Sequence, residues 1–96
     1  MANLGYNFKM ESLEKLREGI DKIDEEIVIL LKKRKDIVKK ISDVKKRLNQ
    51  PIIDEKREYQ IIKRLKKISK EKCMDEKYVL SIYNIIINNS RNEQKE

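Results

Sequence analysis

The segment SLEKLREGIDKIDEEIVILLKKRKDIVKKISDVKKRL, residues 12–48, decides the fold. Alternating steps of three and four from Leu13 reach Leu16, Ile20, Ile23, Ile27, Leu30, Arg34, Ile37, Ile41, Val44 and Leu48. Ten of these eleven positions are aliphatic, and the exception is an arginine in mid-seam. This spacing predicts one continuous amphipathic helix with a narrow apolar seam. At a rise of about 1.5 Å per residue it would run to roughly 55 Å, whereas a compact chain of this size has a radius of gyration of about 13 Å. So long a helix overhangs any globule its own chain can build. An oligomer is expected.

Arg34 disturbs a plain coiled-coil reading, because an unpaired charge in an apolar seam is costly unless something anionic meets it. Lys45 lies about 16 Å further along the axis and only ~20° round it, so two cations share nearly one face. Arg17, beside Leu16, lies on the same flank. Two readings stand side by side here. Either the three cations face an anion, or Arg34 sets coiled-coil register while Arg17 and Lys45 snorkel.

The 96 residues allow one domain and little core for a monomer. Charged residues make up 43% and aromatics 5%, so the core must be mainly Ile, Leu and Val. A net charge of +7 favours anionic partners: nucleic acid, acidic membrane, or small carboxylates and phosphates. Cys73 is the only cysteine, which excludes an intrachain disulfide. The chain has no histidine, and so lacks the commonest metal ligand and general base. No apolar run reaches membrane-spanning length and the first residues lack a signal-peptide core, so a cytoplasmic location is expected. Asn88-Asn89-Ser90 matches a glycosylation sequon, which in a cytosolic helix reads as coincidence.

Residues 1–11 break the periodicity and are expected to be a flexible extension, native or added, with Met10 as an alternative start. The domain is expected to span residues 12–96. Ser12 is a partial N-cap signal, with Lys15 where a capping box would carry Glu. Asn49-Gln50-Pro51 ends the first helix. A second helix is expected from Asp54, with Ile61, Ile62, Leu65 and Ile68 as its apolar stripe. Asp54, Arg57 and Glu58 cluster in its first turn, where capping and dipole complementarity would also put acids. After Cys73-Met74, Asp75 caps a third helix whose stripe is Val79, Tyr83, Ile86 and Ile87. That line continues to Ser90 and Gln94, where a hydroxyl and an amide replace apolar residues. Such a change fits a ligand site, and equally a fraying helix end. The fold class is all-α, three helices per chain with one very long N-terminal helix. No Gly-rich phosphate loop, metal-ligand cluster or catalytic triad is present. Any chemistry must use fixed charges and hydrogen bonds.

Five segments stand out in order: LREGIDKID with Arg17, LLKKRKDI with Arg34, ISDVKK with Lys45, PIIDEKRE with Asp54, Arg57 and Glu58, and IINNSRNEQ with Ser90 and Gln94. Together they resemble the all-helical AroQ class of chorismate mutases. The resemblance runs from about Leu13 to Gln94. A single motif such as LLxxR is weak, but five in order at the right separations are specific. It implies an intertwined homodimer of three-helix chains with two equivalent active sites, no cofactor and no metal. It also implies conversion of chorismate to prephenate on the route to phenylalanine and tyrosine. Lys45 and Gln94 would then donate to the breaking ether oxygen. Arg34 and Arg17 would bind the carboxylates with help from Ser90, and Glu58 with the neighbourhood of Asp54 would meet the ring hydroxyl. Arg57 would stand behind them and orient its neighbours.

These residue types suit that chemistry. A dicarboxylate substrate needs cations aimed at two carboxylates, and arginine captures planar anions bidentately. A unimolecular [3,3] rearrangement shuttles no proton and needs no nucleophile, so the lack of histidine is no obstacle. Three alternatives remain from the sequence. One is an isochorismate–pyruvate lyase on the same fold, which the intact Asp54/Glu58 cluster disfavours. Another is a basic helical nucleic-acid binder, disfavoured because the basic residues are spread over several faces among many acids. The third is an interaction protein active only in complex with another shikimate-pathway enzyme.

Overall fold

The computed structural model describes residues 12–95, which form three α-helices and no strand. They are α1 (Leu13–Arg47), α2 (Glu55–Glu71) and α3 (Glu76–Lys95). The expected extension at residues 1–11 lies outside the described residues. The chain divides into two compact units between Arg34 and Lys35, a boundary that falls within α1.

The described part of the first unit, residues 12–34, begins with the cap expected from Ser12. The Lys15 amide donates to Ser12 Oγ at 3.0 Å, which satisfies one of the N–H groups that a helix start leaves without a partner. Beyond the cap the unit is one helix, and its seam stays open: Leu13, Leu16, Ile20, Ile23, Ile27 and Leu30 are 42–63% exposed. Among the described residues, a Cβ at Gly19 would meet nothing within 4 Å beyond its own stretch of helix.

The second unit holds the rest of α1 together with α2 and α3. Its core is Ile61, Leu65 and Ile87, with Ile62, Val79, Leu80 and Tyr83 packed against them. The α2 stripe differs from expectation by one position. Ile68 is 40% exposed, and Ser69 takes the inward place at 2%. The positions Ile61, Leu65 and Ser69 follow an i, i+4, i+8 line, which drifts round the helix away from Ile68. On α1 the covered line is Val38 and Ser42, with Lys45 half-buried beyond them. The seam residues Ile37, Ile41 and Val44 remain 41–57% exposed.

Both connections are set by the same kind of helix stop. Asn49 and Cys73 have φ of 55° and 54°. The Asn49 and Gln50 amides bond back to the Lys46 and Lys45 carbonyls, and the Cys73 and Met74 amides to those of Lys70 and Ser69. This paired return is the Schellman arrangement with a left-handed residue just past the helix. Asn tolerates that conformation, whereas Cys is an unusual occupant. Pro51 then prevents α1 from resuming. Asp54 and Asp75 cap the next helices, accepting from the Arg57 and Lys77 amides at 3.0 Å each.

Candidate active site

The last two turns of α1 and the C-terminal half of α3 meet through polar groups. Ser42 Oγ donates to the Gln94 carbonyl at 3.3 Å, inside the buried contact. Three residues further along α1, Lys45 Nζ donates to Gln94 Oε1 at 2.8 Å and to the Ile52 carbonyl at 2.6 Å. The turn after α1 supplies that carbonyl, so the Schellman stop helps to form the site. Gln94 is buried, and its Nε2 donates to the Ser90 carbonyl at 3.2 Å. The amide oxygen has to face the ammonium, since an NH₂ there would set donor against donor. Ser90 is half-buried, with Oγ donating to the Ile86 carbonyl at 3.0 Å.

Glu58, in the first turn of α2, adds the anion. Arg91 Nε donates to its Oε2 at 2.8 Å, and Arg91 Nη2 donates to Oε1. That hydrogen-bonded guanidinium is the main reason the Glu58 carboxyl titrates below the usual glutamate range. Burial opposes the shift, the charges of Arg91 and Lys45 reinforce it, and Asp54 works against it. The fields of Lys45, Asp54 and Arg91 therefore all reach Glu58.

The second unit thus brings together five of the expected residues: Lys45, Gln94, Ser90, Glu58 and Asp54. One Asp54 carboxylate oxygen is used as the helix cap. Arg57 contributes its backbone amide to that cap and exposes its side chain, so the guanidinium on Glu58 comes from Arg91 instead. Arg17 and Arg34 belong to the first unit. Arg17 is exposed on a helix face it shares with Glu14, Glu18 and Asp21, and Arg34 is half-buried. Sequence reading passed over Arg91, although it sits four residues after Ile87 and three before Gln94. A cation interrupting an apolar line is the same signal that singled out Arg34. Among the described residues no group of three or more His, Cys, Asp or Glu side chains could hold a metal ion. No described helix is long and apolar enough to cross a membrane.

The arrangement offers donors and fixed charge rather than a nucleophile or a proton relay. Lys45 spends two of its three N–H donors on Ile52 and Gln94, and Gln94 spends one of its two amide hydrogens on Ser90. Among the described residues, one donor on each then remains to meet a ligand acceptor from neighbouring positions.

Comparison with known proteins gives a consistent result. A family model described as chorismate mutase type II matches residues 16–95. A chorismate mutase from Methanocaldococcus jannaschii is 34% identical over 87 residues, covering 91% of this chain and 88% of that protein. A bifunctional chorismate mutase/prephenate dehydratase from Aquifex aeolicus is 42% identical over 62 residues, covering 65% of this chain and 17% of that protein. Among solved structures, a conserved hypothetical protein from Pyrococcus furiosus aligns with a TM-score of 0.67 and 38% identity, covering 85% of this chain and 93% of that one.

Proposed function

The chain belongs to the chorismate mutase type II family, and on that premise we propose that chorismate is rearranged to prephenate at the Lys45–Gln94 cluster. The activity is that of an isomerase in aromatic amino acid biosynthesis. The observation that carries the assignment of the site is the 2.8 Å contact between Lys45 Nζ and Gln94 Oε1. It holds a cationic and a neutral donor side by side, each with an N–H to offer.

In the proposed mechanism those two N–H groups meet the ether oxygen as its bond breaks. Negative charge grows there mainly in the transition state, so donors fixed in advance lower the barrier more than they tighten substrate binding. Arg34 and Arg17 bind the two carboxylates, with Ser90 beside them, and hold the substrate in its chair-like reactive form. Glu58, kept ionised, accepts from the ring hydroxyl near Asp54. Arg57 supports this corner.

The proposed assembly is a homodimer with two shared sites. Its support is the open seam: all ten aliphatic seam positions are 41–63% exposed in the single chain. An apolar line this long needs a cover of matching length and character, and a second copy of the same helix supplies both. Arg17 would then enter the site of the partner subunit.

The direct test is loss of chorismate absorbance on adding the purified protein, with prephenate identified as product. Lys45→Ala should lower kcat by about two to three orders of magnitude while helicity is retained, the usual cost of removing one such donor. A folded, nearly fully active variant would remove Lys45 from the site.

A further inference from the structure

Arg91 has no part in the mechanism above, yet it makes the most directional contact to a proposed substrate residue. A carboxylate has two oxygens and about four lone-pair directions. Arg91 takes one direction on each oxygen of Glu58, forming the planar fork that only arginine provides. The remaining directions point away from the guanidinium. The side chains of Arg91 and Glu58 are 34% and 23% exposed, so solvent screens the contact only in part.

The surrounding charges explain what the fork controls. Glu58 faces Arg91 from α3, Lys45 from α1, and Asp54 just ahead of its own helix. Arg91 faces Glu58 and also Glu55, both on α2. Without Arg91, Lys45 would be the only cation in this set facing Glu58. A loosened carboxylate would swing toward that ammonium and compete with Gln94 for it. It would also protonate more readily, and a protonated carboxyl presents an O–H where an acceptor is needed.

We propose that Arg91 is a positioning residue for the reaction: it fixes the Glu58 acceptor offered to the substrate and keeps Lys45 aimed at Gln94. This rests on the substrate role given to Glu58 above.

The test uses Arg91→Met, Arg91→Lys, Glu58→Gln and the Arg91→Met/Glu58→Gln double variant, each checked for helicity. The readouts are kcat/KM against pH and NMR titration of the Glu58 carboxyl carbon. Arg91→Met should lose about tenfold or more in kcat/KM at neutral pH, the scale of a charge-assisted hydrogen bond. Its acid limb and its Glu58 titration should both move to higher pH, which a purely structural role would not do. Arg91→Lys should bring the limb back toward wild type and leave part of the loss, because an ammonium cannot form the fork. The double variant should be no slower than Glu58→Gln, since Arg91 acts through Glu58.

If Glu58→Gln is impaired while Arg91→Met matches wild type with an unmoved limb, Arg91 positions nothing and the reading of Glu58 stands. Additive losses in the double variant would equally overturn the proposal. Wild-type activity in Glu58→Gln removes the reading of Glu58, and this inference with it. Should Arg91→Met fail to fold, Arg91→Lys decides: wild-type kcat/KM would show the fork is irrelevant, and a partial loss with a low acid limb would support it.

Discussion

Gln94 is an amide held against an ammonium, and that identity has a pH consequence. Its NH₂ donates at any ordinary pH, whereas a carboxyl in its place donates only when protonated. Gln94→Glu should therefore be slow at neutral pH and recover as pH falls. Lys45 sits 2.8 Å from the present oxygen, so the introduced carboxyl would be held ionised and recovery would come below the usual glutamate range. A flat profile at wild-type rate, measured as kcat against pH, contradicts the donor role. Ser69 raises a different question, one of stability. It is 2% exposed, and its Oγ finds no hydrogen-bond partner among the described residues. A buried hydroxyl left in that state costs free energy that an alanine avoids, and alanine is also the better helix former. Ser69→Ala should stabilise the protein by about 1 kcal/mol, read as a higher denaturant midpoint at unchanged slope. A lowered midpoint would mean the hydroxyl is bonded in the assembled protein.

The three helices were legible in the sequence because periodicity and caps agree. Ser12, Asp54 and Asp75 each accept the amide bond their side chains suit. The stops were only half legible. Pro51 announces the first, but Cys73 gives no sign of a left-handed turn, since glycine and asparagine are its usual occupants. Gln94 and Glu58 draw attention in the sequence because each extends an apolar line, and Lys45 because it shares a helix face with Arg34 beside the seam. The Ile52 carbonyl could not be found, because a backbone acceptor leaves no trace in side-chain pattern. Ser69 shows the limit of stripe reading: a small drift of helical phase exchanges Ile68 for its neighbour. The α1 seam gives the sharpest test at this scale. Ile23 and Ile27 are 52% and 49% exposed within the chain, so polar substitutions there cost the isolated chain little. Placed under a second copy, two lysines would be buried without partners, at several kcal/mol each. Ile23→Lys/Ile27→Lys should shift the mass measured by light scattering from dimer to monomer, and activity should fall with it. A variant that stays dimeric rules out this stretch as the interface.

The seam and the proposed shared site make one claim about the whole molecule, and it can be tested in solution. Arg17 and Lys45 are proposed to meet one substrate although they stand 28 residues apart in the chain. A helical segment of that length is about 42 Å long, far beyond the reach of one small dicarboxylate. Both residues can then serve one site only if they come from different chains, which a two-fold dimer allows. Arg17→Ala and Lys45→Ala should each be impaired as homodimers. In a mixed dimer, one site inherits both substitutions and the other inherits neither. Co-folding the two variants at equal amounts makes about half the dimers mixed, so roughly a quarter of wild-type sites should return. The measurement is activity per dimer after refolding, with differently tagged chains used to count mixed dimers directly. Mixed dimers present at the expected fraction, with no activity above that of the separate variants, would mean that each chain builds its site alone.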